Sequence, residues 1–364
     1  MRPDSRYVWT PFLAAAVLSV CGGGQAESTT ELTGIGSVAA PSQVTGSVPH
    51  YDEPLEAPVA RNAQRLELPV RALKTPDAVN GLDFIPGRDQ LVVGLNREVL
   101  IIDAISLETT ATIDGCESCL LAGVHGLPDG NHVVVSGNWK KPGEVWSLDP
   151  LEKVSVARPG TPRARYSMDG RYRLDSLERE AHLIDMATNE SVWNSHLPDP
   201  KALAFSPDGR QLVIGYDDDA RGRNAGSLQI LRAADKAILA KISYERATFT
   251  FAEFTPDGTT LALGAYNGRI ILWDVETGEL AGRFHAGDGL RSMTISPDGK
   301  YIAAGGGREM AGYAGLWRIS DARPMARFRF QERVAGLDFH DTKPLLAVGH
   351  WADGLAVIDL STLE

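Results

Sequence analysis

SPDGRQLVIG (residues 206–215) decides how this 364-residue chain folds, because it recurs as TPDGTTLALG (255–264) and SPDGKYIAAGG (296–306). In each copy Pro presets φ at the first central turn position, Asp suits the second, and Gly supplies the positive φ that closes the turn. The apolar run after the turn ends at Gly or Ala and is typical of a short buried strand. Each copy therefore predicts two strands joined by a tight turn.

Weaker copies extend this pattern over most of the chain. The residues in front of the turns are, by number, 84, 126, 166, 205, 254, 295 and 339, so the spacing is 39 to 49 residues. Each turn is followed by a second repeated segment, which consists of an apolar strand, a polar turn and a further strand. The last copy lacks this further strand. Seven units of four strands at this spacing predict an all-β fold, a seven-bladed β-propeller over residues 63–364.

Composition agrees with one large domain of this kind. Each blade of a propeller buries its faces only against its neighbours, so about 300 residues form one unit. A net charge of −11 argues against a nucleic-acid partner, which favours a basic surface. The strands are not separated by amphipathic helices, which argues against an α/β enzyme fold.

The two ends of the repeat array predict how the ring closes. The seventh unit stops at LAVIDLSTLE (residues 355–364), one strand short of a full blade. An unassigned strand candidate, QRLELPVRAL, occupies residues 64–73 in front of the first unit. An open ring would leave two exposed sheet edges. We therefore expect residues 64–73 to supply the outer strand of the last blade.

The repeats resemble those of the WD40 family over about 300 residues. The best match is TFTFAEFTPDGTTLALGAYNGRIILWDVETGELAGRF (248–284), which carries the turn, the strand and the Trp273–Asp274 dipeptide. The first unit also resembles bacterial YVTN-type repeats. No unit has the family's Gly-His dipeptide before its first strand, and His285 comes closest, so the family's buried Asp–His–Ser–Trp network is expected to be absent or partial. The resemblance implies a propeller that acts as a protein-binding platform. Aspartates also occupy the dipeptide's place in other units: Asp103, Asp149, Asp185 and Asp359.

The front of the chain predicts export. Arg2 and Arg6 precede an apolar stretch at 8–20, which is too short to span a membrane comfortably and is typical of a signal peptide over residues 1–21. LSVCGGG (18–24) resembles a bacterial lipobox with Cys21 as the lipidated residue. The alternatives are cleavage after Ala26, which gives a soluble secreted protein, and an uncleaved N-terminus.

Residues 22–62 are rich in Gly, Ser, Thr, Ala and Pro and predict a flexible tether. A lipid on Cys21 would then hold the propeller at the bacterial cell envelope. Gly22 follows the cysteine instead of Asp, which resembles the outer-membrane signal of Gram-negative lipoproteins. The expected membrane contact is therefore through the lipid anchor.

The chain carries no familiar catalytic motif. Its eight histidines are scattered, and we predict no catalytic residue, metal or cofactor. One residue per blade can nevertheless converge on a propeller's axis, and His125, His285 and His350 fall near strand ends. An enzyme or cofactor-binding propeller, similar to lactonase-like relatives of YVTN repeats, is therefore the alternative. Convergent acids, histidines or a metal in the axial funnel would favour it.

Cys116 and Cys119 are the only cysteines besides Cys21. In an exported protein, two cysteines so close together predict a disulfide. The loop that it closes is small, so its effect would be local. A redox-active pair, two free thiols and a metal site with further ligands are the alternatives.

Two charged loops are expected to be solvated. The first is YDDDARGRNAG (216–226), which contains three consecutive carboxylates at Asp217–Asp219. The alternative to a solvated loop is that these carboxylates bind calcium. The second is RPGTPRARYS (158–167), for which an acidic partner surface is the alternative. Its cations are Arg158, Arg163 and Arg165.

We expect a protein partner to bind the face opposite the tight turns. The tight turns are short and alike, whereas the loops on the other face are irregular, and variable loops on a rigid scaffold concentrate binding residues. Packing between blades is the alternative role for two of the candidates, Tyr216 and Trp351. A monomeric propeller is expected, and a structural envelope protein without a defined ligand is a further alternative. The partner-binding candidates are Trp139, Tyr216, Met310, Tyr313 and Trp351.

Overall fold

A computed structural model describes most of the repeat region of the chain. The described residues are 68–114, 123–135, 143–157, 165–167, 169–177, 180–197, 200–217, 226–244, 248–352 and 354–363. Several predictions concern residues outside these ranges: the signal peptide and tether (1–62), Cys21, Cys116, Cys119, Trp139, Arg158, Arg163, Asp218 and Asp219.

The described residues form seven four-stranded antiparallel sheets arranged in a ring. The first half of the strands is β1 (Val70–Lys74), β2 (Gly81–Phe84), β3 (Gln90–Gly94), β4 (Val99–Asp103), β5 (Thr109–Ile113), β6 (Val124–Gly126), β7 (His132–Val135), β8 (Gly143–Leu148), β9 (Leu151–Ala157), β10 (Arg165–Tyr166), β11 (Tyr172–Leu177), β12 (Glu180–Asp185), β13 (Glu190–Asn194) and β14 (Pro200–Phe205). The second half is β15 (Gln211–Asp217), β16 (Gly226–Arg232), β17 (Ile238–Tyr244), β18 (Phe249–Phe254), β19 (Thr260–Ala265), β20 (Arg269–Asp274), β21 (Leu280–His285), β22 (Leu290–Ile295), β23 (Tyr301–Arg308), β24 (Ala311–Arg318), β25 (Arg323–Phe330), β26 (Val334–Phe339), β27 (Leu345–His350) and β28 (Gly354–Asp359).

Blades 1 to 6 each use four consecutive strands, beginning with β2–β5, and their first strand is innermost. The all-β, seven-bladed prediction is confirmed. In the described part of the chain, no helix is long and apolar enough to cross a membrane.

The seventh blade confirms how the ring closes. Its strand order is β1-β28-β27-β26, so the N-terminal strand is the outer strand of the last blade. Val70 pairs with Ile358, and Lys74 pairs with Gly354. Among the described residues the strand occupies 70–74, and residues 64–67 of the expected range 64–73 lie outside the described residues. Pro69 directly precedes it and has no N–H to donate, although its carbonyl accepts a hydrogen bond from the Asp359 N–H at 2.9 Å.

The tight turns explain why the S/T-P-D-G phrase is repeated. Ser206 Oγ donates to Asp208 Oδ1 at 2.6 Å and accepts a hydrogen bond from the Gln211 N–H at 2.8 Å. The Gly209 N–H closes the turn on the Ser206 carbonyl at 2.9 Å, and Gly209 has a φ of 68°. Thr255 and Ser296 make the same bonds in blades 5 and 6. The turn therefore supplies its own polar partners and fixes the hairpin locally.

The core consists of the contacts between neighbouring blades. Ala202 and Ala204 of blade 4 pack against Ala252 and Phe254 of blade 5 in one buried cluster. Similar clusters join the other described strands around the ring. The innermost strand of each blade therefore has one face on the preceding blade and one on the following blade, and its edge lies nearest the axis.

Candidate binding face and axial channel

The innermost strands bring one residue per blade to the axis. In each blade it is the second-to-last residue of the first strand, directly before the residue that leads into the tight turn. In chain order these residues are Asp83, His125, Arg165, Ala204, Glu253, Thr294 and Asp338.

Charged groups from alternate blades affect one another across this space. Arg165 of blade 3 lowers the pKa of Asp83 in blade 1 and of Glu253 in blade 5, and Asp338 of blade 7 raises the pKa of Glu253. These blades are not neighbours in the ring, so their side chains face a common axial channel. The sequence contains this pattern at a spacing of about 42 residues, but it becomes visible only when the repeats are aligned on their turns.

The axial carboxyl groups join successive blades. Glu253 Oε1 accepts a hydrogen bond from the Ile295 N–H at 2.9 Å, and Asp338 Oδ2 accepts one from the Phe84 N–H at 2.7 Å. Asp83 makes the same contact with the innermost strand of blade 2 at 3.0 Å. Each N–H belongs to the blade that follows the acid. One role of these acids is therefore to tie neighbouring innermost strands together at the axis.

Burial favours the protonated forms of these acids. It raises the pKa of Asp83 to about 6 and that of Glu253 to about 7. Burial also raises the pKa of Asp338 well above its usual value, and the nearby Asp83 carboxylate raises it further. The two carboxyl groups interact across the junction of blades 7 and 1, which disfavours ionisation of both at once.

A histidine and a tyrosine extend this polar cluster into blades 2 and 3. His125 Nδ1 lies 3.8 Å from Asp83 Oδ2, and its ring centroid is 5.9 Å from that of Tyr166. Burial raises the pKa of Tyr166 to about 12. Beside it, Arg173 pairs with Asp175 at 3.3 Å, and both side chains are almost fully buried. Within the described ranges, no three His, Cys, Asp or Glu side chains are grouped so that they could hold a metal.

The other predicted axial histidines lie elsewhere in their blades. His285 ends the outer strand of blade 5, and its Nε2 lies 2.9 Å from the Asn267 carbonyl. His350 ends the second strand of blade 7, where its ring centroid is 5.1 Å from that of Phe330. Of the three, His125 is therefore the one on the innermost strand, next to an axial acid.

The predicted partner-binding residues differ greatly in exposure. Met310 is 85% exposed, whereas Tyr216 and Tyr313 are each only 6% exposed. The Tyr313 hydroxyl donates to the Gly287 carbonyl, and Trp351 is half-buried with the Arg333 guanidinium 4.0 Å from its ring centroid. Met310 therefore offers a partner the largest accessible apolar side chain of these four. The binding role of all five candidates stays a prediction.

Direct contacts connect the loops of blades 5, 6 and 7 opposite the tight turns. The Tyr266 carbonyl accepts a hydrogen bond from the Gly289 N–H at 3.0 Å, and the Arg291 guanidinium lies 6.0 Å from the Tyr266 ring. Tyr266 is 55% exposed. Blade 5 thus meets blade 6 at an exposed aromatic residue with an arginine beside it.

The chain of contacts continues from blade 6 to blade 7. The Met310 N–H donates to Glu332 Oε2 at 3.4 Å, and Arg333 pairs with Glu309 at 3.4 Å. The Trp351 N–H then donates to the Arg333 carbonyl at 3.1 Å. We call this continuous surface the blade 5–7 rim. Its members are Tyr266, Asp288, Arg291, Arg308, Glu309, Met310, Glu332, Arg333 and Trp351.

Met310 occupies an unfavourable turn position within the rim. Arg308 pairs with Ala311, so Glu309 and Met310 form a two-residue turn. The φ of Met310 is 59°, a left-handed conformation that costs a residue with a Cβ roughly 1–2 kcal/mol. The corresponding loop of blade 5 places Gly268 at positive φ instead. Met310 therefore keeps a large exposed side chain in a turn position at which Gly would be less strained.

A second concave surface lies on the tight-turn side. A groove of about 850 Å³ opens between blades 3 and 4. Leu183, Phe205 and Leu239 line it together with Arg210 and Arg232. It is separate from the rim, because it is built from the S/T-P-D-G turns and the outer strands.

Comparisons with known proteins point to WD-repeat proteins. Over 131 residues the chain is 28% identical to WD repeat-containing protein SL1-17 of Schistosoma mansoni, which covers 35% of this chain and 41% of that protein. Over 180 residues it is 26% identical to WD repeat-containing protein WRAP73 of Mus musculus, covering 44% of this chain and 36% of that protein. Over 199 residues it is 24% identical to echinoderm microtubule-associated protein-like 3 of Mus musculus, covering 51% of this chain and 20% of that protein.

These similarities cover less than half the length of each of the three relatives. No family model matches the chain. The seven four-stranded blades make the chain a seven-bladed β-propeller, and the repeated S/T-P-D-G turns and the similarity to WD-repeat proteins are consistent with a WD40-repeat family.

Proposed function

We propose that this protein is an interaction platform whose partner binds the blade 5–7 rim. WD-repeat propellers generally mediate protein interactions, and that general role is supported for this chain. The observation that carries the location is Met310, which is 85% exposed and held at a φ of 59°. The strand pairing on both sides holds the turn in place before binding, so little backbone has to be ordered when a partner binds, which favours affinity.

The composition of the rim supports a protein partner. Methionine, arginine and aromatic residues are enriched in the buried centres of protein interfaces, where a few of them carry most of the binding free energy. Met310 lies in a surface that also contains Tyr266, Trp351 and three arginines. The ion pairs Arg308–Asp288 at 3.7 Å and Arg333–Glu309 at 3.4 Å hold the polar edge around it.

Replacing Met310 with Gly separates binding from folding. Met310→Gly removes the exposed side chain and also relieves the left-handed backbone strain, so the melting temperature should stay unchanged or rise. Partner binding should weaken by at least about tenfold, as expected for loss of an interface anchor. The measurement is quantitative capture of the partner from envelope extract, together with thermal unfolding of each variant.

The matched control is Ile238→Ala. Ile238 is 52% exposed on the outer strand of blade 4, outside the rim, so this change removes exposed apolar surface elsewhere. Undiminished capture by Met310→Gly, or equal loss by Ile238→Ala, would show that the rim is not the binding surface.

We also propose that the platform is exported and lipid-anchored at the cell envelope. The support is the signal-peptide pattern over residues 1–21 and the lipobox-like LSVCGGG. Cys21→Ala should abolish acyl labelling and move the protein from the membrane fraction to the soluble fraction. A mature N-terminus at Glu27, read from the intact mass, would refute the anchor and establish the secreted form.

One observation favours a second candidate function, hydrolysis at the axial channel. The carboxyl groups of Asp83, Glu253 and Asp338 converge there with raised pKa values, as in sites of general acid–base catalysis. The test is a panel of lactones and esters. Turnover that is lost in Asp83→Asn but kept in the turn variant Asp257→Asn would support an axial enzyme site, and no turnover of any substrate would count against it.

A further inference from the structure

We propose that Thr250 and Arg291 form an anion-binding subsite at the mouth of the axial channel, where they take a carboxylate side chain of the partner. The inference rests on the proposed platform function and adds the chemistry of the partner. The two residues belong to the innermost strands of blades 5 and 6, and Lys201 holds the equivalent position in blade 4.

The same backbone irregularity presents all three residues. In blade 4, Pro200 pairs with Tyr216 and Ala202 pairs with Gly215, so Lys201 is left out of the ladder. The register shifts of blades 5 and 6 leave out the residues at the same place, Thr250 and Arg291. A β-bulge re-aims the side chain of its extra residue and often does so next to functional sites. Three consecutive blades therefore present a cation, a hydroxyl and a cation at one level of the ring.

Two of these side chains contain a buried polar atom with unused bonding capacity. Thr250 Oγ1 and Arg291 Nε are buried, and neither has a hydrogen-bond partner among the described residues. A buried polar group without a partner is costly, so such groups are uncommon unless something else binds them. Both are donors, which suits an anionic acceptor.

Arg291 also differs from the other arginines of the rim. Arg308 pairs with Asp288, and Arg333 pairs with Glu309. In the described part of the chain, Arg291 has no carboxylate within ion-pair distance, and its guanidinium lies beside the exposed Tyr266 ring. Stacking on an aromatic face holds a guanidinium in place while its edge remains able to donate to a carboxylate.

The positive charge of Arg291 favours an anion. The nearest acid along the innermost strands is Glu253, three residues after Thr250. Burial raises the pKa of Glu253 to about 7, so below that pH it is mostly uncharged and repels an anion little. Met310 and Tyr266 on the adjoining rim would contact apolar residues of the partner that lie next to its bound carboxylate. This combination fits an acidic segment of a protein.

The test is a titration of the full chain with a labelled peptide containing a run of glutamates. Fluorescence anisotropy is measured at about 0.15 M salt, where general electrostatic attraction is largely screened beyond ~8 Å. The glutamate peptide should bind saturably, and a matched glutamine peptide should bind at least about tenfold more weakly. Arg291→Gln and Thr250→Val should each weaken the glutamate peptide by a similar factor.

Arg327→Gln is the matched control. Arg327 also lies beside a tyrosine, at 5.5 Å from the Tyr313 ring centroid, but it belongs to the outer strand of blade 6. It should leave the affinity unchanged. Equal binding by Arg291→Gln and wild type, or equal loss in Arg327→Gln, would overturn the subsite. Complete displacement of the peptide by millimolar inorganic phosphate would overturn the acidic-segment assignment, because the site would then suit free phosphate.

Two further measurements distinguish loss of the subsite from misfolding of a variant and from failure of the platform proposal. Thr250→Val removes a buried hydroxyl without a partner, so its melting temperature should not fall. Met310→Gly should leave the affinity for the glutamate peptide unchanged, since it does not touch the subsite. A peptide that depends on Arg291, together with natural-partner binding that is indifferent to Met310→Gly, would refute Met310 as the anchor of the natural partner and retain the subsite.

Discussion

Single residues in left-handed conformation show how the repeats tolerate variation. The turn between the third and fourth strands places one residue at positive φ in several blades. Blade 5 has Gly278 there, with a φ of 70°, whereas blade 6 has Ala322, with a φ of 56°. In blade 5, Asp274 Oδ1 accepts a hydrogen bond from the Thr277 N–H at 2.7 Å, which explains the value of an aspartate after the tryptophan. The polar bond fixes the turn, so the left-handed position can accept a residue with a Cβ at some cost.

Exchanging the residues at this position should change stability in opposite directions. Ala322→Gly should raise the free energy of unfolding by up to about 1 kcal/mol, because Gly reaches positive φ without steric strain. Gly278→Ala should lower it by about 1 kcal/mol for the same reason. Chemical denaturation of both variants measures this, and a destabilised Ala322→Gly would show that the packing of the Ala322 methyl group outweighs the strain.

The elements differ in how far the sequence could predict them. The hairpins were predictable, because each S/T-P-D-G turn contains its own hydrogen-bond partners within six residues. The closing strand was predictable from the missing strand of the last unit, although its start at Val70 was not. The axial acids and the bulge residues were not predicted, since their roles depend on which blade lies across the ring. Tyr313 illustrates the same limit, because its burial depends on Gly287 of the preceding loop.

The closing strand should be essential for a stable ring. Deleting residues 64–74 removes β1 and leaves β28 as an unpaired edge, which promotes aggregation or loss of cooperative unfolding. Deleting residues 27–60 should do neither, because these residues lie outside the closing strand. Light scattering and thermal unfolding of both deletions provide the comparison. A soluble, cooperatively folded protein without residues 64–74 would show that the ring does not need this strand.

At the scale of the whole molecule, two sets of acids set opposite pH limits on stability. The axial carboxyls of Asp83 and Glu253 have folded pKa values of about 6 and about 7, above their usual values, because of burial. The folded state therefore binds more protons than the unfolded state, and stability falls as pH rises through these values. The tight-turn acids behave oppositely. The hydrogen bond from Thr255 lowers the pKa of Asp257, so its contribution is lost as pH falls below about 4.

The free energy of unfolding should therefore peak at about pH 4–5 and decline toward pH 8. Asp83→Asn should flatten the decline above pH 5, because the amide cannot ionise but can still accept the hydrogen bond from the blade 2 strand. Asp257→Asn should leave that decline unchanged and alter only the acid limb. Denaturant unfolding at several pH values tests this, and stability that rises steadily from pH 5 to 8 would contradict the raised pKa values of the axial acids.

The most direct test of the platform proposal is a hydrogen-exchange footprint of the full chain with and without its captured partner. A partner on the blade 5–7 rim should slow amide exchange in the segments around Tyr266, Glu309–Ala311 and Trp351. The tight turns at 206–211, 255–260 and 296–301 should exchange as they do in the free protein. Protection of those turns, with unchanged exchange around Met310, would place the partner on the opposite face and contradict the proposal.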